Sequence, residues 1–209
     1  QNYVNKEAIY YYLYRYVDCH QAFLETNGLT NNKTHEMIAY YSYRANADTW
    51  IDLNYNLGKH NYDVALYYDA VNTFKRMLPN LQLLSEDKKL TIAKCLYDVG
   101  QYNECILILK SISVEKTEQK CVLYFLWGKA LFVKLDALEA VEKLNTAIGY
   151  AIDGTQLYYN ILAMKLVALA EGPNGNVEAK KLFDSEIKPI VESGFDTEYL
   201  GNILRNCWA

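Results

Sequence analysis

Cys19 and His20 are the one place in this chain where a nucleophile and a base adjoin. Successive residues of a helix point about 100° apart, so on the helix expected around them they cannot align as a dyad. His35 and His60 fall near the ends of expected helices, where an imidazole caps the chain or meets solvent. Glu86 and Asp87 could share acid–base work, but they follow Ser85 in the first turn of an expected helix, where negative side chains offset the dipole. Glu139, Glu142 and Lys143 read as a solvated face. Gly172-Pro173-Asn174-Gly175-Asn176 has the glycines of a phosphate-binding loop, yet it follows a helix rather than a strand and no Lys-Ser or Lys-Thr stands behind it, so it reads as a loop insertion. GxGxxG, GxxxxGK[ST], HExxH and GxSxG do not occur. No catalytic residue, no metal ligand set and no cofactor is therefore expected, and the chain reads as a non-enzyme.

The five cysteines, Cys19, Cys95, Cys105, Cys121 and Cys207, are odd in number and hold no CxxC pair for zinc or thiol exchange. They read as small buried hydrophobes in a reducing, intracellular compartment, cytoplasmic or nuclear. The sequon Asn32-Lys33-Thr34 would matter only on secretion. Twenty tyrosines, some in runs such as Tyr10-Tyr11-Tyr12 and Tyr40-Tyr41, could stack on bases, but no basic residues interleave with them. They read instead as helix-interface residues whose hydroxyls reach water.

Positioning any of these groups falls to a chain of 209 residues, half of them hydrophobic, long enough to bury a sizeable core. Three prolines and ten glycines are few for an all-β protein, so the elements are expected to be helices. A net charge of −4 without basic runs argues against nucleic acid as a partner. No apolar stretch approaches the roughly 18 to 20 residues that span a bilayer, so no membrane insertion is expected. The start at Gln1 and the apolar finish Cys207-Trp208-Ala209 suggest a segment of a longer chain, with Leu204 and Trp208 covered by a neighbour.

A first helix is predicted after Asn5, with Ile9, Tyr12, Leu13, Tyr16, His20, Phe23 and Leu24 on one face and Tyr10, Tyr14 and Val17 on the other, stopping at Asn27-Gly28. Apolar on both sides, it reads as sandwiched between neighbours. A second predicted helix runs from Thr34 through Trp50 and Leu53 to Leu57 and is closed by Gly58. Asn61 caps a third, carrying Val64, Ala65, Tyr68, Val71, Phe74 and Leu78, which Pro79 ends.

From Ser85 onward the pattern repeats. Ala93-Lys94-Cys95-Leu96-Tyr97 and Gly128-Lys129-Ala130-Leu131-Phe132 lie 35 residues apart, and the same offset links Cys105 to Ala140, Leu109 to Leu144 and Ile112 to Ala147. Tyr159, Leu162, Ala163, Leu166 and Val167 begin a third copy. In it Ala179 and Phe183 match Ala140 and Leu144 once four residues near Pro173 are treated as inserted.

This pattern resembles the tetratricopeptide repeat, a helix-turn-helix of about 34 residues. Tyr124, Gly128, Leu131, Phe132, Ala140 and Ala147 stand where that family places its bulky and small residues; Lys89 and Glu186 depart from it. The resemblance implies an all-α fold, a right-handed α-α superhelix of antiparallel helix pairs. It covers 85–190 well. Residues 1–84 form an irregular Tyr-rich helical region in which Tyr62 and Ala65 offer a degenerate copy, and 191–209 add a C-terminal helix from Asp196 through Tyr199, Leu200, Ile203 and Leu204.

The family's role is to hold other proteins, so the resemblance implies a non-catalytic interaction scaffold within a larger assembly or homo-oligomer. Alternatives are a peptide-capturing adaptor and the non-catalytic part of a larger enzyme. The family's carboxylate clamp would need Lys and Asn where this chain has Leu90, Lys94, Leu126, Leu157 and Ile161, so only one basic residue matches. The family's concave groove maps onto Lys94, Tyr97, Phe125, Lys129, Phe132, Asn160 and Met164, with Asp87, Leu90, Asp98, Val122, Val133, Leu157 and Val167 beside them. An extended or helical partner segment is expected there, with an acidic group on the two lysines.

Overall fold

The computed structural model describes residues 6–26, 32–46, 49–173 and 175–193, and among these every regular element is helical. Two compact units divide the chain, Gln1–Cys95 and Leu96–Ala209.

In the first unit α1 (Lys6–Thr26), α2 (Asn32–Arg44), α3 (Trp50–Asp63) and α4 (Tyr67–Met77) each pack on the next in sequence. The single helix expected from Thr34 to Leu57 is two. Asn46 adopts a left-handed φ of 48°, a conformation that asparagine tolerates better than most residues, and its N–H closes the end of α2 on the Tyr43 carbonyl at 3.2 Å. Gly58 does not stop a helix: it is buried inside α3, and Asn61, expected as a cap, is buried in the same helix. Val64 and Ala65, expected on a helix, lie in the turn to α4. α4 stops at Met77, and the chain tightens into a 3-10 turn over Leu78–Leu83 with Pro79 near its start.

α1 is not sandwiched among the described residues. Tyr14 and Val17 pack with Ile38 in a small core, whereas Ile9, Tyr12, Leu13 and Tyr16 are exposed, Tyr12 at 73 %. Both faces carry apolar groups, and the one that meets α2 is the one that the second helix happens to reach. The predicted cap Asn5 and stop Asn27-Gly28 lie outside the described residues.

α5 (Glu86–Asp98) begins as expected: Ser85 Oγ accepts from the Lys88 N–H at 3.4 Å, and Glu86 and Asp87 occupy the first turn. Lys89, at a repeat position that calls for a bulky apolar residue, is 6 % exposed and reaches Glu86 at 2.8 Å, so its methylenes fill the site while its charge is met by an anion.

The second unit holds the last turn of α5, then α6 (Tyr102–Lys110), α7 (Thr117–Val133), α8 (Ala137–Tyr150), α9 (Gln156–Ala170) and α10 (Gly175–Leu182), a π turn over Phe183–Ile187 and α11 (Lys188–Glu192). α7 packs on α8, α8 on α9 and α9 on α10, around a core that includes Leu131, Ala140, Leu144, Ala147, Ile161 and Ala168. Asp136 caps α8 by accepting the Glu139 N–H, and Thr155 caps α9 by accepting that of Tyr158. The last hairpin departs from the expected register. Leu182 turns inward against Tyr159 and Leu162, while Phe183 is exposed and Ala179 half-buried. α9 continues to Ala170, and Gly175, the first residue of α10, comes so close to the Ala170 carbonyl that no side chain fits there. Asp196, Leu204, Cys207 and Trp208 lie outside the described residues.

One turn recurs with the 35-residue period in both units. Ala65, Gly100 and Leu135 all take a left-handed φ, at 62°, 78° and 64°. After each, the N–H of Leu66, Gln101 or Asp136 reaches back to the carbonyl of Asn61, Leu96 or Leu131 at 2.8, 2.8 and 3.1 Å. This is the bond pattern that closes a helix on a left-handed residue and aims the chain into the next helix. Glycine suits the position, and the other two residues are strained by roughly 1–2 kcal/mol. Leu135 is 92 % exposed, so its side chain contributes little packing. Leu135→Gly is therefore expected to stabilise the protein by up to about 1 kcal/mol, net of glycine's larger unfolded-state entropy, and Gly100→Ala to destabilise it by a similar amount. Urea midpoints moving in the same direction for both variants would show that the strain argument fails.

Candidate functional site

Phe125, Lys129 and Phe132 follow one another at four- and three-residue steps on α7, so they share a helix face; Asn160 and Met164 do the same on α9. The ammonium of Lys129 lies 4.5 Å from the centre of the Tyr97 ring and 5.6 Å from that of Phe125. A cation held against two ring faces gains from their quadrupoles. Phe125 and Phe132 are half-buried and pack against the core that contains Met164. Met164 itself is 8 % exposed, so it supports this surface from beneath more than it lines it. Asn160 is half-buried on α9. The second unit thus brings together Tyr97, Phe125 and Lys129, and gathers Phe125, Phe132 and Met164 about one core. Lys94 belongs to the first unit, where it is exposed.

A second aromatic run on α7 and α8 was not foreseen. Tyr124 lies nearly parallel to Trp127, at 2°, and stacks on Tyr150, with Lys143 over Trp127 at 4.7 Å and Lys120 over Tyr150 at 5.4 Å. Tyr124 and Trp127 are three residues apart on one helix, which could have suggested the first contact, but Tyr150 joins them only by tertiary packing.

Among the described residues no group of His, Cys, Asp and Glu is placed to hold a metal ion. Burial, helped by Asp98, pushes the Cys105 thiol up to about 12, and burial also raises that of Cys121, so neither is a ready nucleophile. Cys19 and His20 both face solvent on α1. No helix of the described residues is long and apolar enough to cross a membrane. No family model, curated protein or solved structure matches the chain.

The first unit contains a site that sequence reasoning missed. A cavity of about 640 Å³ opens among α1, α2 and α3. On its α1 wall the Gln21 side-chain amide donates to Glu25 Oε1 at 2.6 Å and meets His35 Nε2 at 2.8 Å, with His35 and Glu25 3.6 Å apart. The Gln21 hydrogen bond, aided by His35, holds the Glu25 carboxyl below its ordinary range. A signal was present: Gln21 lies seven residues after Tyr14 and four after Val17, a polar residue on the stripe that α1 buries.

The tyrosines divide. Tyr14 and Tyr159 are buried, as helix-interface residues should be, while Tyr12 and Tyr16 stand in solvent. The basic residues missing between them in sequence arrive by folding: Arg44 lies 4.6 Å over Tyr10, and Arg76 lies 5.6 Å over Tyr40.

Proposed function

We propose that this chain is a non-catalytic protein-interaction scaffold, a subunit of an intracellular multiprotein assembly whose helix pairs are arranged as in the tetratricopeptide superhelix. The observation that carries the reading is the recurrence of one left-handed turn at Ala65, Gly100 and Leu135, each followed by the same backbone hydrogen bond. A chain that repeats one hairpin turn at a fixed period builds its surface from stacked units, and such surfaces serve to hold partners. None of the four described cysteines is joined in a disulfide, which suits a reducing compartment.

The partner lies on the face of α7 and α9 that presents Phe125, Phe132 and Asn160. An extended or helical segment covers the two rings and places an acidic group on Lys129. Because Lys129 is held over Tyr97 and Phe125, its charge is pre-positioned. Lys129→Glu is expected to leave the circular dichroism of the protein helical and to weaken partner capture by about tenfold, equivalent to roughly 1.4 kcal/mol. Lys94→Glu tests separately whether the exposed lysine of the first unit contributes. Unchanged capture by well-folded versions of both variants would remove this face as the binding surface.

A further inference from the structure

Four helices of the first unit bring two arginines to one tyrosine ring. Arg44 and Tyr40 are four residues apart on α2, and the Arg44 Nη1–H donates to the Tyr40 hydroxyl at 3.0 Å. The Arg44 guanidinium lies 4.6 Å from the centre of the Tyr10 ring on α1 and 5.8 Å from that of Tyr40. Arg76 arrives from α4, with its guanidinium 5.6 Å from the centre of the same Tyr40 ring. It is tied to α3 as well. Asn54 is fully buried, donates its side-chain amide to the carbonyls of Ala39 and Trp50, and turns Oδ1 to Arg76 Nη1 at 3.4 Å.

Rings and hydrogen bonds fix the two guanidiniums without neutralising them. Among the described residues neither arginine forms an ion pair. Glu36 and Asp69 share a small recess with Arg76 but stay beyond ion-pair distance of it. Two like charges held at one ring repel, and an anion that meets both removes that cost. Nη1 of each arginine is engaged, which leaves the N–H groups of Nη2 and Nε for the paired hydrogen bonds that a carboxylate accepts. The rings are poorly placed to stack on nucleic-acid bases, because Tyr10 already stacks on Tyr41 at 29° and meets Tyr40 edge-on. We propose that Arg44 and Arg76 form a docking site for an acidic peptide segment of a partner protein, whose aspartate or glutamate carboxylates the two guanidiniums hold. The inference does not depend on the face of α7 and α9, since all of its residues belong to the first unit.

The test titrates the isotopically labelled full chain with oligoglutamate, oligoglutamine and oligothymidylate of equal length at low ionic strength. It follows the arginine Nε–H resonances and obtains Kd by calorimetry. Oligoglutamate is expected to bind with a Kd of about 0.1–1 mM, to shift the resonances of Arg44 and Arg76, and to weaken as salt is added. Oligoglutamine is expected to shift neither. Arg44→Gln and Arg76→Gln should each weaken oligoglutamate about five- to tenfold, and Arg44→Lys, which keeps the charge but loses the fork, about threefold. Arg15→Gln removes the same charge from the same unit where Asp18 already meets it at 3.6 Å, and is expected to leave binding unchanged. Because Arg44 is exposed, Arg44→Gln keeps the test decisive should Arg76→Gln misfold. The proposal is overturned if Arg44→Gln binds oligoglutamate as well as the parent, if Arg15→Gln weakens it equally, or if oligoglutamate shifts neither arginine resonance. Tighter binding of oligothymidylate at the same two arginines overturns it in favour of a nucleic acid.

Discussion

Phe74→Ala is expected to destabilise the first unit by about 3–5 kcal/mol, the usual cost of emptying a buried aromatic site. Phe74 is fully buried on α4, and its ring lies against the backbone of α3 at Gly58. A methyl group added at Gly58 would stand 2.7 Å from Phe74 Cδ1 and 3.1 Å from Cζ, closer than side chains normally approach. Gly58→Ala in the native background is therefore expected to cost about 1–3 kcal/mol, although alanine is the better helix former. In the Phe74→Ala background that methyl meets empty space, and the same substitution is expected to stabilise by up to about 1 kcal/mol. The sign of Gly58→Ala should thus reverse between the two backgrounds in urea denaturation. The same sign in both would show that the glycine is not there to admit the ring.

Gly128→Leu is the corresponding prediction for the second unit, with an expected loss of at least about 1–3 kcal/mol. Its Cβ alone would lie 2.7 and 2.9 Å from Leu144 Cγ and Cδ2 and 3.2 Å from the carbonyl oxygen of Ala140. Leucine 144 can be shortened, and Leu144→Ala by itself should cost about 2–5 kcal/mol because the residue is fully buried. The Ala140 carbonyl belongs to the backbone of α8 and cannot be shortened. The double variant Gly128→Leu/Leu144→Ala is therefore expected to recover only part of the summed loss, in contrast to the sign reversal at Gly58. Thermal melts of the four proteins in this cycle measure the coupling, and a strictly additive result would place Gly128 and Leu144 apart.

Gly58 and Gly128 show where reading the sequence stopped short. They are 70 residues apart, two periods, and Ala70 and Phe74 stand the same distance before Ala140 and Leu144. The second hairpin, α3 with α4, nevertheless reads in the sequence only as a degenerate copy. Glycine near the end of an apolar run suggests a helix stop, and Asn61 after it suggests a cap. Locally both readings are sound. Inside α3 the same glycine serves close approach instead, and only the presence of the Phe74 ring separates the two roles.

The candidate surface was legible in a similar measure. Helical periodicity sets Phe125, Lys129 and Phe132 on one face whatever surrounds them. That the Lys129 ammonium would be held by Tyr97, or that Met164 would sink beneath the surface, depends on neighbours distant in sequence. Gln21 was passed over because its side-chain partners lie four and fourteen residues away on two helices, joined only when α2 folds back on α1.

By itself the sequence determined the helical class and the 35-residue spacing of Ala93 with Gly128, Cys105 with Ala140 and Leu109 with Leu144. Periodicity and small-residue placement are imposed by the geometry of one helix and one turn, which a short stretch of chain already contains. The tertiary structure alone decided which face of α1 is buried, that Leu182 rather than Phe183 turns inward, and that a cavity forms beside Gln21. Each of these depends on which surface another helix covers, and burial is a property of the pair.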